Sequence, residues 1–164
     1  MRRLAGGVCV ITGNTESGEP CGLTATAVCS LTADPPTLVA CINKNTRLGA
    51  AVHAAPVFAV NVLSALQRPI AEAFAGLVSG VRGESRFTYG EWYEKQAGAP
   101  LLADCLAGFV CELDEVVDRS THLLLIGLVT DVYLTPHESG PLLYVDRQFV
   151  QSHHRVDSHD SLDR

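Results

Sequence analysis

Residues 21–47 read CGLTATAVCSLTADPPTLVACINKNTR, and the division of this stretch into elements decides the fold. Over residues 21–32 the side chains alternate. Leu23, Ala25, Ala27, Cys29 and Leu31 fall on one face, Thr24, Thr26, Ser30 and Thr32 on the other, with Val28 the exception. A two-residue repeat is the pattern of a strand with one buried face, and here the other face carries hydroxyls. Asp34-Pro35-Pro36 stops that strand, because proline lacks a ladder donor and biases its predecessor away from helix. Residues 37–43 (TLVACIN) form a continuous apolar run expected of a central strand. Residues 44–47 (KNTR) break it, and residues 48–55 read as a short helix with Thr46 as N-cap, closed by Pro56.

The same reading extends outward. Residues 7–12 (GVCVIT) are rich in β-branched side chains and run into a polar hairpin signal at 13–18. Residues 57–63 (VFAVNVL) are a further strand. Ser64 to Gln67 fits a capping box, and Leu66, Ile70 and Phe74 follow at helical spacing on one face. Periodicity fades over residues 76–100, which hold five glycines and the single tryptophan, Trp92; this is expected to be a long ordered connection or lid. Strand patterns resume at 106–117 and 122–133, joined by a polar turn at 118–121, and a last strand is expected at 141–145. Residues 152–164 are polar, rich in His and Asp, and read as a disordered tail. About seven strands and two short helices result, with connections too short for the crossovers that parallel strands need. The expected fold is mainly β: one antiparallel barrel with a few short helices.

Composition narrows the function. With 47% apolar and 18% charged residues in 164, the chain has material for one core and does not read as disordered. Twelve basic against eighteen acidic residues give a net charge of −6, which argues against nucleic acid as a partner. No apolar run approaches the roughly 18 residues of a membrane-spanning helix, so no membrane partner is expected. The start, Met1-Arg2-Arg3-Leu4 followed by glycines, does not continue as an export signal. The six cysteines (9, 21, 29, 41, 105 and 111) form no CxxC pair, and five lie in strand-like runs; reduced thiols in a cytoplasm are expected.

No metal site is expected, since the six histidines (53, 122, 137, 153, 154 and 159) show no zinc spacing. GxSxG, GxGxxG and the P-loop are all missing, which removes the hydrolase elbow and the Rossmann fingerprint. What remains is a hydroxyl-lined strand followed by the cationic turn Asn43-Lys44-Asn45-Thr46-Arg47 at a helix start. Hydroxyls, cations and free N–H groups there meet the requirement of a phosphate. On the residues alone this signal is weak, and a polar strand face with a capped surface helix is the better explanation of the pattern.

The strings GVCVIT, CGLTATAVCSLTADPPTLVACINKNTR, VFAVNVLSALQ and FAG, in this order, resemble the flavin reductase-like family, the FMN-binding split barrel. The resemblance continues through Arg86-Phe87, Trp92, Gly98-Ala99-Pro100-Leu101-Leu102, Cys111-Glu112, His122 and Pro141-Leu142-Leu143-Tyr144. It implies a split-barrel domain over residues 1–151, a homodimer, and reduction of FMN, FAD or riboflavin by NADH or NADPH, with hydride passing from nicotinamide C4 to flavin N5. The reduced flavin would go to a separate monooxygenase. It also implies site roles. Thr24, Ala25 and Thr26, with Cys29 and Ser30, would flank the isoalloxazine, largely through backbone groups. Asn43 and Asn45 would meet the ribityl chain, Lys44, Thr46 and Arg47 the phosphate, and His122 the nicotinamide. Two departures stand out: Ser120-Thr121-His122 replaces the usual Gly-Asp-His, and the aromatic and basic run after the last strand is reduced to Val145-Asp146-Arg147-Gln148-Phe149. The other readings are a flavoprotein with tightly held FMN acting on another substrate or a metal complex, and a non-catalytic flavin-binding protein.

Overall fold

The longest pairing in the molecule is a hairpin of two 13-residue strands, β9 (Ala107–Arg119) and β10 (His122–Leu134), and the remaining elements are arranged around it. The computed structural model describes residues 2–54, 56–94, 98–136 and 139–151. The earlier strands are β1 (Gly6–Gly7), β2 (Cys9–Asn14), β3 (Pro20–Ala25), β4 (Val28–Ala33), β5 (Pro36–Asn43) and β6 (Val57–Val62). Helix α1 (Arg47–Ala51) follows β5, and a 3-10 turn (Ala65–Gln67) leads into α2 (Arg68–Phe74) after β6. A second 3-10 turn (Gly83–Thr88), β7 (Trp92–Glu94) and β8 (Pro100–Leu102) fill the stretch without periodicity, and β11 (Leu142–Val145) and β12 (Gln148–Gln151) close the described chain. Every strand pairing among the described residues is antiparallel.

Seven strands make one sheet in the order β3-β2-β6-β9-β10-β5-β4. Its two edge strands, β3 and β4, are neighbours in sequence, separated only by Thr26 and Ala27. Two residues reach at most about 7 Å, so the sheet must curl until its edges meet at that point. The Cys41 N–H donates to Ala27 O at 2.8 Å where they do. Residues 21–32 are therefore two strands rather than the single one expected. In β3, Cys21, Leu23 and Ala25 are buried as the alternation requires; beyond the break Ala27, Cys29 and Leu31 are exposed.

The barrel interior is filled by Ile11, Leu23, Ile42, Leu48, Phe58, Val60 and Leu125. A second apolar cluster lies under α2, built on Val8, Val10, Leu63, Ile70, Phe74 and Leu142. Phe74, Phe87 and Trp92 stack there with ring centroids 5.0–5.2 Å apart, which fixes the segment that showed no periodicity. Buried Asn61 ties this segment to the barrel: its amide donates to Val10 O (3.0 Å) and Thr12 Oγ1 (3.2 Å), and its carbonyl accepts the Leu102 N–H (2.8 Å). Of the expected capping box, one half forms: the Ser64 N–H donates to Gln67 Oε1 (2.9 Å), while Ser64 Oγ is buried without a partner among the described residues. Leu66, expected on the buried face with Ile70 and Phe74, is 75% exposed, because the helix begins as a 3-10 turn and the angular spacing of the first turn differs. Helix α1 ends at Ala51, short of residue 55, which lies outside the described residues, as does the expected tail. β1 and β12 have no counterpart among the expected strands and join β11 in a small separate sheet. No helix among the described residues is long and apolar enough to cross a membrane.

At the irregularity in β10 between Ile126 and Gly127, a Cβ on Gly127 would lie 2.5 Å from Phe58 Cζ and 2.9 Å from Cys111 Cβ. Gly127→Ala is expected to overpack the barrel and cost about 1–3 kcal/mol, read as a lowered denaturation midpoint. All six cysteines carry free thiols. Burial pushes Cys9 and Cys111 up to about 12, and Cys21 and Cys105 up to about 11. At pH 8 a thiol reagent should label exposed Cys29 quickly and half-buried Cys41 slowly, with the other four reacting only on unfolding; mass mapping of the labelled positions checks this.

Candidate functional site

The turn after β5 is held by its own side chains. Asn43 Oδ1 accepts the Asn45 N–H (2.9 Å), Thr46 Oγ1 donates to Asn43 O (2.7 Å), and the Gly49 N–H donates to Thr46 Oγ1 (3.0 Å), so Thr46 is the N-cap expected. The helix sits so close to the turn that a Cβ on Gly49 would lie 2.6 Å from Asn43 O. Asn43 pairs in register with His122 at the start of β10, and the Lys44 N–H donates to Thr121 O at 3.1 Å. The end of β5 and the start of β10 thus form one rim. The β9–β10 turn has Ser120 at φ 53, a left-handed conformation that a glycine would adopt without strain.

This rim faces the end of β3 across a cleft of about 420 Å3. Its floor is apolar, with Leu23, Ala25, Phe74 and Ala75; its rim is polar, with Thr24, Thr26, Asn43, Thr46, Arg86 and His122. A second cleft of about 280 Å3 adjoins it, lined by Cys21, Gly22, Asn45, Arg47 and Gly83, and the two share Thr46 and Arg86. β3 is an edge strand, so one side of its backbone is free. Arg86 Nη1 donates to Gly22 O on that side (3.2 Å), and the two-residue repeat turns the Thr24 N–H and C=O the same way, towards the cleft. Thr24 Oγ1 donates to Ala71 O (2.7 Å), which locks β3 to α2.

Of the residues singled out in the sequence, Thr24, Ala25, Thr26, Asn43, Thr46 and His122 meet in the larger cleft, and Asn45, Thr46 and Arg47 in the smaller. Lys44 lines neither; its Nζ is drawn to Asp118 (3.0 and 3.2 Å). Cys29 and Ser30 also fall outside both, on β4, where the break at Thr26 and Ala27 carries them to the other edge of the sheet. His122 is exposed, with Nδ1 2.8 Å from Thr121 Oγ1. Arg47 Nη2 forms an ion pair with Glu19 Oε2. Among the described residues no group of three or more His, Cys, Asp or Glu could hold a metal ion.

Arg86 is the site residue the sequence reading missed. It lies on a 3-10 turn inside the stretch without periodicity, and only the Arg86-Phe87 pair, which anchors through Phe87 on Phe74, hinted at it. Besides Gly22 O its Nη1 reaches Phe74 O (3.3 Å), while its Nε is buried without a hydrogen-bond partner among the described residues. An unpaired buried donor on a cation is costly, and it sits on the wall between the clefts. A slot with an apolar floor, a polar rim and one free backbone edge, opening into a recess with two guanidinium groups and a hydroxyl, fits an aromatic ring system carrying a phosphate tail.

The family model described as "Flavin reductase like domain" matches residues 1–153. The chain is 40% identical over 149 residues to the 4-hydroxyphenylacetate 3-monooxygenase reductase component of Pseudomonas aeruginosa, covering 91% of this chain and 86% of that one. It is 35% identical over 149 residues to an FMN reductase (NADH), RutF, of Agrobacterium fabrum, covering 91% and 83%. Among solved structures, the Streptomyces globisporus NADH:FAD oxidoreductase SgcE6, in complex with NAD and FAD fragments, superposes with a TM-score of 0.82 at 28% identity, covering 94% of this chain and 89% of that one. With the family model spanning nearly the whole chain and the split barrel placing the family's motif residues around one pair of clefts, the protein belongs to the flavin reductase-like family.

Proposed function

We propose that the protein is an NAD(P)H:flavin oxidoreductase that reduces flavin and passes it to a separate monooxygenase. The observation that carries the reading is the pair of clefts sharing Thr46 and Arg86, one shaped for a ring and one for an anion. The names of the relatives, a monooxygenase reductase component and an NADH-dependent FMN reductase, support it. Flavin, when bound, supplies the redox chemistry by accepting hydride at N5 from nicotinamide C4. The chain's residues hold and orient. The free edge of β3 at Thr24 offers a donor and an acceptor to the ring's polar edge, and Leu23, Ala25, Phe74 and Ala75 exclude water beneath it. Asn43 and Asn45 meet the polyol, and Thr46, Arg47 and Arg86 hold the phosphate. His122, on the exposed rim opposite β3, faces the nicotinamide. Lys44 acts indirectly, by bracing the turn through Asp118. The protein works in the cytoplasm; its buried free thiols support that.

The test is oxidation of NADH by the pure protein with FMN, FAD or riboflavin; no flavin-dependent turnover would overturn the reading. Arg47→Ala should raise the KM for FMN about tenfold with kcat nearly kept, because a phosphate contact persists unchanged through hydride transfer. Riboflavin lacks the phosphate and should be used as before. His122→Ala should weaken or slow NADH use while FMN affinity stays near wild type. Equal damage with FMN and riboflavin would remove Arg47 from the phosphate.

We further propose a homodimer. Leu31 (56% exposed), Val132 (53%) and Leu134 (75%) stand on β4 and β10, beside an apolar groove of about 410 Å3 that reaches Leu38, Phe109 and Val129. Apolar patches of this kind mark interfaces. Sedimentation at micromolar concentration should give twice the 17.5 kDa chain mass, and a stable monomer would contradict it.

A further inference from the structure

Among the described residues no Asp or Glu lines either cleft, yet one carboxylate reaches the smaller recess from its edge. It belongs to Glu19, in the turn between β2 and β3, and it meets Arg47 Nη2. The turn fixes Glu19 by its backbone: the Thr15 N–H donates to Glu19 O (2.8 Å), and the Glu19 N–H donates to Thr15 Oγ1 (3.1 Å). Pro20 follows and restricts Glu19 further. The carboxylate is thus carried on a firm base. On the opposite side, a Cβ on Gly83 would lie 3.1 Å from Arg47 Nη1. The guanidinium therefore spans the recess, from the β2–β3 turn to the turn that carries Arg86. Of the two cations on that recess, Arg86 is bonded to carbonyls and Arg47 is neutralised in advance.

The two side chains of this pair are 47% and 49% exposed, so the bond is screened, weak and readily exchanged. A phosphate ester carries about −1.5 to −2 charges at pH 7, and a carboxylate left beside it repels it across a few ångströms. Glu19 therefore weakens the hold on a phosphate without blocking the recess. A flavin that lacks the phosphate meets no such cost, since it leaves Arg47 with Glu19. The same contact helps departure. As a phosphate withdraws, the carboxylate recovers the cation, and Arg47 is not left unpaired. A flavin that is to be handed to a second protein has to leave, and an exchangeable cation serves that step.

We propose that Glu19 is a specificity residue for the flavin: it competes with the phosphate for Arg47, keeps FMN exchangeable between turnovers and narrows the preference for FMN over riboflavin. This role rests on the reductase reading. Titration by flavin fluorescence at low salt, where surface charges are least screened, tests it. Glu19→Gln, which keeps the shape and removes the charge, should tighten FMN about fivefold and leave riboflavin where it is. Stopped-flow release of FMN should slow by a similar factor, because affinity changes within one site fall mainly on the off-rate. In an Arg47→Ala background the gain from Glu19→Gln should shrink to less than about twofold, as two groups acting through one contact require. Unchanged FMN affinity in Glu19→Gln, or equal tightening of FMN and riboflavin, would overturn the proposal. So would a full gain that survives Arg47→Ala, since Glu19 would then act on the phosphate directly rather than through the shared cation. Tightening that depends on Arg47, in a protein that oxidises no NADH, would uphold the role of Glu19 and defeat the reductase reading instead. Unchanged binding in a protein that reduces FMN with NADH would do the reverse.

Discussion

The two residues Thr26 and Ala27 constrain everything else. They join the opposite edges of a seven-stranded sheet, so the sheet cannot lie open; it must close where they cross and gape where the edges diverge. A strand edge exposed to water normally invites pairing with another chain. Here the free side of β3 is partly covered by Arg86 and α2, and its uncovered part, at Thr24, becomes the backbone wall of the cleft. The opening that gives the site is thus a consequence of how the barrel closes.

The far side of the cleft depends on packing outside the barrel. Phe74 touches both worlds: it floors the cleft and stacks on Phe87 and Trp92 in the second cluster. Those contacts hold the 3-10 turn that carries Arg86, and Asn61 pins the hairpin after it through Leu102. A glycine at position 22 completes the arrangement, since a Cβ there would sit 2.9 Å from the Phe74 ring. Arg86 is therefore positioned by aromatic packing and two carbonyls rather than by a carboxylate.

The sequence exposed most of this where local pattern and tertiary role coincide. The hairpin signal at 13–18, the central strand 37–43, the N-cap at Thr46 and the Gln67 half of the box at Ser64 all depend on neighbours a few residues away, and each is present. The break at Thr26 was illegible because alternation resumes across it; its one trace is Val28, the exception to the two-residue rhythm and the first residue of β4. Cys29 and Ser30 are joined to Thr24 as site residues by the family resemblance alone, and β4 carries them outside both clefts. Arg86 was hidden because a six-residue 3-10 turn has too short a period to detect, and its partners Gly22 and Phe74 are distant in sequence. Resemblance located the pair Arg86-Phe87, but only the fold shows that one anchors and the other reaches the clefts.

Charge then decides which cation matters for an anion on this acidic chain. Lys44 is neutralised by Asp118 and Arg47 is paired with Glu19, both near the surface, where such pairs are screened and readily exchanged. Among the described residues Arg86 is bonded only to carbonyls, so no carboxylate offsets its charge there, and it is half-buried, where the effective dielectric is lower and a charge acts more strongly. Keeping that charge out of water with Nε unpartnered costs free energy, which an arriving phosphate can recover. Glu19 adds a competitor: an anion entering the smaller cleft must draw Arg47 away from it. In the proposed function Arg86 would therefore supply the standing attraction, and Arg47 an adjustable one that strengthens as Glu19 is displaced. That division would let a chain with a net charge of −6 receive the anion the proposed function requires.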